Sequence, residues 1–193
     1  MNHNLREVRG VRVTECICYP RSGHHALTNV LAAYFGSQLE YCEIYQHPEK
    51  QIGDDTQTNY QKNHDFDLRT AIGLDRRYLV QIRDPYEAWA SRWDLNCRTG
   101  EITDESQENC IETIRAWSDY YAGFMNKWVI SSIPNRLVVR YCDLVGSPLT
   151  TVENVIQFLQ HPRLLDRGRL AEALRHSPVT RQKRRDLNCA QVA

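Results

Sequence analysis

Apolar and β-branched positions fall in short blocks, each followed by a turn signal and then by apolar residues at helical spacing. The block from Val11 to Tyr19 reads V-R-V-T-E-C-I-C-Y and has the density of a buried strand. Ala26, Leu27, Val30, Leu31 and Tyr34 then recur at the three-to-four spacing of a helix face. Pro20 ends the strand, Gly23 frees the backbone between the two, and Gly36 stops the helix. The alternation continues with extended segments at 41–45 and 59–63, and a strand from Tyr78 to Ile82. A helix opened by Pro85 follows, broken over 97–100.

A longer helix is expected from an N-cap at Thr103 to about Ile130. Its stripe of Ile111, Ile114, Trp117, Ser118, Tyr121, Phe124, Met125 and Trp128 reads as a core face. Pro134-Asn135 turns into a strand over 136–141. Pro148 opens a helix with Val152, Val155, Ile156 and Leu159 on one side, and 164–176 makes the last helix. Strands alternating with helices predict an α/β fold, with a central, mostly parallel sheet covered on both faces. A single domain over 1–193 is expected, with flexible ends at 1–10 and 177–193. Residues 47–57 and 65–75 read as loops able to wall a pocket.

Composition narrows the function more than the fold. With 41% hydrophobic and 25% charged residues the chain can bury one sizeable core. Its 24 basic and 24 acidic side chains cancel, so no global field draws it to nucleic acid or an anionic membrane. Charge is uneven, however. Residues 94–112 hold six acids against Arg98 alone, and 163–186 hold eight Arg or Lys against three acids. These read as solvated faces, or, for the basic run, as a tail folding over phosphates. Seven cysteines, an odd number without a C-x-x-C pair, together with the absence of a leader or long apolar run, point to a reducing cytoplasm and no membrane span. No His or Cys spacing suits structural zinc.

The chemistry lies at the strand ends. A strand turning sharply into a helix leaves the first helical N–H groups aimed at an anion. The turn Pro20-Arg21-Ser22-Gly23-His24-His25 has one glycine, no following lysine and no hydroxyl for Mg²⁺, which disfavours a Walker-type nucleotide triphosphatase. Arg21 supplies a permanent fork of donors instead. A second anion site is expected where the Tyr78–Ile82 strand ends in Arg83-Asp84-Pro85, with Ser91 two helical turns on. For an Arg in that place the plain alternative is a surface ion pair with the next Asp.

Taken together these stretches resemble the sulfotransferases that use 3′-phosphoadenosine 5′-phosphosulfate (PAPS). Residues Tyr19 to Ala26 look like a variant of the family's Y-P-K-S-G-T-T-W loop. Arg83, Asp84, Pro85 and Ser91 match its 3′-phosphate motif, and Lys62-Asn63-His64 resembles its K-T-H. Residues Val138 to Leu144 are similar to the strand ending Y-E-D-L. The resemblance covers most of the chain from Val11 to Leu159 and implies a P-loop NTPase-like sulfotransferase fold, PAPS as donor and no metal. It implies that Arg21, Ser22, Gly23, His24, His25 and Ala26 hold the phosphosulfate, and that Arg83 and Ser91 hold the 3′-phosphate. It further implies Tyr141 near the adenine and Lys62, Arg21 and His64 in catalysis, His64 as general base. His24 or His25 could serve as base instead.

The chain departs from the pattern where His24 and His25 stand for two threonines and Ala26 for a tryptophan. The family's C-terminal R-K-G has no direct counterpart, Arg181 to Arg185 being the nearest basic run. The acceptor is expected to be a small molecule or glycan, and the oligomeric state is not encoded in any feature of the sequence. The alternatives are a phosphotransferase with a degenerate loop, or a non-catalytic nucleotide-binding relative.

Overall fold

The computed structural model describes residues 7–44, 58–160 and 162–177. Its centre is a five-stranded sheet of β3 (Thr14–Cys18), β4 (Tyr41–Glu43), β5 (Tyr60–Asn63), β6 (Tyr78–Ile82) and β7 (Arg136–Arg140). The strand order is β4-β5-β3-β6-β7 and every pairing is parallel. All five strands therefore end on one edge. The chain lays down β4 and β5 on one side of β3 and then passes to β6 and β7 on the other, so the edge beside β3 is a topological switch point, where such sheets bind ligands.

Side-chain alternation splits the core in two. Cys16 and Cys18 of β3 and Leu79 of β6 face one layer, formed by α1 (His24–Phe35), α5 (Pro148–Leu159) and α6 (Arg167–Arg175). Ile17 and Tyr19, with Tyr78, Val80 and Ile82, face α2 (Pro85–Thr99) and α3 (Gln107–Phe124). The period-two strand thus serves two helical layers at once.

Several boundaries differ from the sequence reading. The first strand is interrupted at Val13: β2 (Val11–Arg12) turns back on β1 (Glu7–Val8) in a small antiparallel pair, and the central strand starts at Thr14. Residues 7–8 are thereby paired. Helix α3 is capped by Ser106, whose side chain accepts from the Asn109 N–H, and not by Thr103. Beyond Phe124 it widens into a π-helical turn over Met125–Ile130, keeping Trp128 buried. Strand β7 stops at Arg140, and Tyr141 opens the short helix α4 (Tyr141–Gly146). The last helix begins at Arg167 behind an Asp166 cap, a 3₁₀ turn occupying Pro162–Leu164. The expected pocket wall at 47–57 and the basic run 181–185 lie outside the described residues. No described helix is long and apolar enough to cross a membrane.

Candidate functional site

Four neighbouring strands deliver the four sequence motifs to one place. The loop after β3, His64 after β5, Arg83 after β6 and Tyr141 after β7 line a cleft of about 440 Å³. That is within the ordinary range of ligand sites.

The loop after β3 is shaped by positive φ angles at Arg21 (66°) and Gly23 (85°). At Gly23 a side chain is excluded twice, by that φ and by the Tyr141 ring, whose Cδ2 would lie 2.5 Å from an added Cβ. Helix α1 starts at once behind Gly23, with no side-chain cap. Its first intrahelical bond runs from the Leu27 N–H to the Gly23 carbonyl, so the N–H groups of His24, His25 and Ala26 sit at the open, positive end of the helix. Ser22 is buried, and its Oγ has no hydrogen-bond partner among the described residues.

Three side chains tie the loop to α2. Arg21 Nε donates to Ser91 Oγ at 2.9 Å, joining the two motifs across seventy residues. Arg83 Nη1 donates to the Arg21 carbonyl at 3.3 Å, and its guanidinium lies 4.2 Å from the centre of the Tyr141 ring. The plain alternative for Arg83, a surface ion pair with Asp84, does not form. Asp84 caps α2 by accepting from the Glu87 N–H, and Arg83 Nε reaches the Glu87 carboxylate at 2.9 Å. Arg83 and Ser91 are thus brought together through Arg21.

His64 follows β5 directly. Its Nδ1 is 2.6 Å from the Cys18 carbonyl, which can only accept, so Nδ1 carries the proton and Nε2 is the basic nitrogen. Burial pushes the ring's pKa from 6.5 down to about 4, against the opposing pull of that carbonyl bond. The ring is neutral at physiological pH. Tyr120 donates to the His64 carbonyl at 2.5 Å. The next residue, Asp65, has a fully buried carboxylate that accepts from Lys127 Nζ and Trp128 Nε1, each at 2.7 Å, and from the Thr70 N–H at 2.8 Å. This anchors the chain behind His64 to α3 and the π-helical turn.

Lys62 points into the cleft from β5, but it is not alone. The parallel register sets it opposite Glu43 of β4, and Nζ lies 3.3 Å from Glu43 Oε2 with the two side chains 5% and 10% exposed. Tyr41 donates to the other carboxylate oxygen at 2.6 Å. The Tyr41 hydroxyl is also 3.1 Å from His24 Nε2, while His24 Nδ1 meets Gln81 Oε1 at 3.0 Å. Thr28 Oγ1 lies 3.0 Å from Nε2 as well. The His24 ring is therefore a buried strut between α1, β4 and β6, and its nitrogens are occupied within the fold. His25 is exposed at the cleft, its pKa lowered first by partial burial and then by the Lys62 charge. Ala26 lines the cleft as a small surface.

Sequence reasoning missed Glu43, Asp65, Phe66 and Arg92. Glu43 and Asp65 are acids whose partners, Lys62 and Lys127, are distant in sequence. Phe66 and Arg92 line the cleft beside His64. Among the described residues no group of three His, Cys, Asp or Glu could hold a metal ion.

No protein-family model matches the chain, and no curated protein matches it in sequence. Its fold does match solved structures. A sulfotransferase from Alicyclobacillus acidocaldarius aligns over 84% of this chain and 89% of its own, with TM-score 0.50 and 11% identity. A retinol dehydratase in complex with androsterone and the inactive cofactor PAP aligns over 94% of this chain and 67% of its own, with TM-score 0.55 and 12% identity. The chain has a sulfotransferase-like fold, one parallel five-stranded sheet between helical layers.

Proposed function

We propose that the chain transfers a sulfuryl group from PAPS to a hydroxyl or amine of a small-molecule or glycan acceptor. The observation that carries this reading is the Arg21–Ser91 hydrogen bond, which unites the loop and the Arg83 motif around one cleft. The residues fit such a donor. A buried Ser22 hydroxyl without a partner faces no other demand, and three N–H groups of α1 open beside it. Arg21 and Arg83 add two fixed cationic forks for phosphate oxygens.

When bound, the donor supplies a sulfuryl group on a phosphate leaving group: the acceptor oxygen or nitrogen bonds to sulfur, the sulfur–oxygen bond to phosphate breaks, and its electron pair departs on the phosphate. His64 takes the acceptor's proton on Nε2, the tautomer being fixed by the Cys18 carbonyl. Arg21 and the N–H groups of His24, His25 and Ala26 stabilise the departing charge, and Lys62, held by Glu43, neutralises the sulfuryl side. Arg83 and Ser91 recognise the 3′-phosphate, and Tyr141, packed on Gly23 beneath Arg83, borders the nucleotide base. This chemistry requires positioning and neutralisation and no metal. Action in the reducing cytoplasm agrees with six free cysteines among the described residues.

The test is transfer of labelled sulfate from PAPS to a panel of phenols, sugars and amines, with His64→Ala beside the wild-type chain. Product from the wild type and not from His64→Ala supports the reading. Phosphate transfer from ATP with Mg²⁺ would instead make it a phosphotransferase, and nucleotide binding without any transfer would make it a non-catalytic relative.

A further inference from the structure

Helix α2 presents two adjacent residues to different parts of the cleft. Ser91 turns to Arg21 and the loop, whereas Arg92 lies over the Trp117 ring at 4.8 Å and the Phe66 ring at 5.8 Å. Phe66 is 56% exposed, and its ring centre is 5.0 Å from that of His64. Leu95 and Asn96, three and four positions after Arg92, share its helix face and line the same cleft. This wall lies beside the proposed base.

The cations of the cleft differ in what they already hold. Lys62 is paired with Glu43 and Arg83 with Glu87, and Arg21 donates to Ser91. Among the described residues Arg92 makes ring contacts, and no hydrogen bond or ion pair engages its guanidinium there. Glu101 lines the cleft as well, but it forms no ion pair with Arg92. A stacked guanidinium keeps its in-plane donors available, and their geometry matches a carboxylate or a similar oxyanion.

We propose that Phe66, Arg92, Leu95 and Asn96 form the acceptor subsite, and that it selects a ring-bearing hydroxyl compound carrying an anionic group. The ring stacks on Phe66 and Leu95 with its hydroxyl toward His64, and the anion is held by Arg92. This rests on the sulfuryl-transfer reading of the cleft.

The test is calorimetry on the full chain saturated with 3′-phosphoadenosine 5′-phosphate, using p-hydroxyphenylacetate, p-cresol and tyramine, which share a phenol and differ in charge. Binding of the anionic phenol about tenfold or more tighter than of tyramine is expected, the size of one charge-assisted hydrogen bond. Arg92→Gln should bring the two affinities together and leave nucleotide affinity unchanged. Equal affinities, a preference for tyramine, binding of none of the three phenols, or a preference that survives Arg92→Gln would overturn the subsite. Failure of the nucleotide itself to bind would instead remove the reading on which the subsite rests.

Discussion

Replacing Glu43 by Ala removes the carboxylate that Lys62 Nζ meets at 3.3 Å, in a site where the lysine side chain is 5% exposed. Removing one member of a buried pair costs about 3–5 kcal/mol, because the other charge stays desolvated, whereas replacing both with apolar groups is often close to neutral. Tyr41 loses its carboxylate acceptor too, but its hydroxyl remains 3.1 Å from His24 Nε2, so that part of the loss is softened. Glu43→Ala alone and Lys62→Met alone should each lower the free energy of unfolding by about 3 kcal/mol or more. The double variant should recover most of the loss, leaving it within about 1–2 kcal/mol of the wild type. Urea unfolding followed by circular dichroism measures all four corners of the cycle. Additive losses, or a Glu43→Ala penalty below about 1 kcal/mol, would refute the pairing as an energetic unit. Transfer activity should not return with stability, since Lys62→Met removes the cation assigned to the sulfuryl group.

Gly23→Ala forces a left-handed backbone on a residue with a Cβ, at about 1–2 kcal/mol, and displaces the Tyr141 ring that underlies Arg83; thermal unfolding and nucleotide titration should both report the loss, and unchanged nucleotide affinity would contradict the packing argument. Asp65→Ala strips the acceptor from Lys127, Trp128 and the Thr70 N–H, so a loss of about 3 kcal/mol or more is expected in denaturant unfolding; a change inside experimental error would show that the anchor behind His64 is dispensable. His64 titrates near 4 when folded and near 6.5 when unfolded, so the unfolded chain binds the extra proton and stability falls as the pH drops from about 6.5 toward 4. Between pH 7 and 4.5 the wild type should lose about 2 kcal/mol more than His64→Gln; parallel pH profiles would mean that the ring is not held neutral by burial.

The parts of the site carried by local sequence were legible. A strand, a Pro-Arg-Ser-Gly turn and an apolar helix stripe define the loop within a few residues, and Arg83-Asp84-Pro85 with Ser91 defines the second motif. The parts fixed by sheet register were not. Glu43 sits in a three-residue strand with no periodicity of its own, and only the parallel pairing of β4 with β5 puts it opposite Lys62. His24 reads as a loop histidine beside His25, yet helix α1 starts at His24 and turns its ring into the layer of Gln81, Tyr41 and Thr28. Tyr141 reads as a strand end, but the chain bends into α4 there, which swings the ring over Gly23. The N-cap is Ser106, whose side chain accepts from the Asn109 N–H, and Thr103 and Ser106 are both cap-forming residue types in the acidic segment between α2 and α3. Asp65 could have been noticed as an acid beside the His64 motif, but its partners Lys127 and Trp128 lie more than sixty positions away.

On the proposed reading the cleft recognises a nucleotide by a phosphate on its 3′ position as well as its 5′ position. Calorimetric titration of the chain with 3′-phosphoadenosine 5′-phosphate and with AMP, each with and without Mg²⁺, tests it most directly, repeated with Arg83→Ala. Metal-independent binding of the bisphosphate at least about tenfold tighter than AMP is expected, a margin that Arg83→Ala abolishes, since one charge-assisted bond to phosphate is worth about 1.5–3 kcal/mol. Equal affinity for the two nucleotides, or binding that requires Mg²⁺, would contradict it.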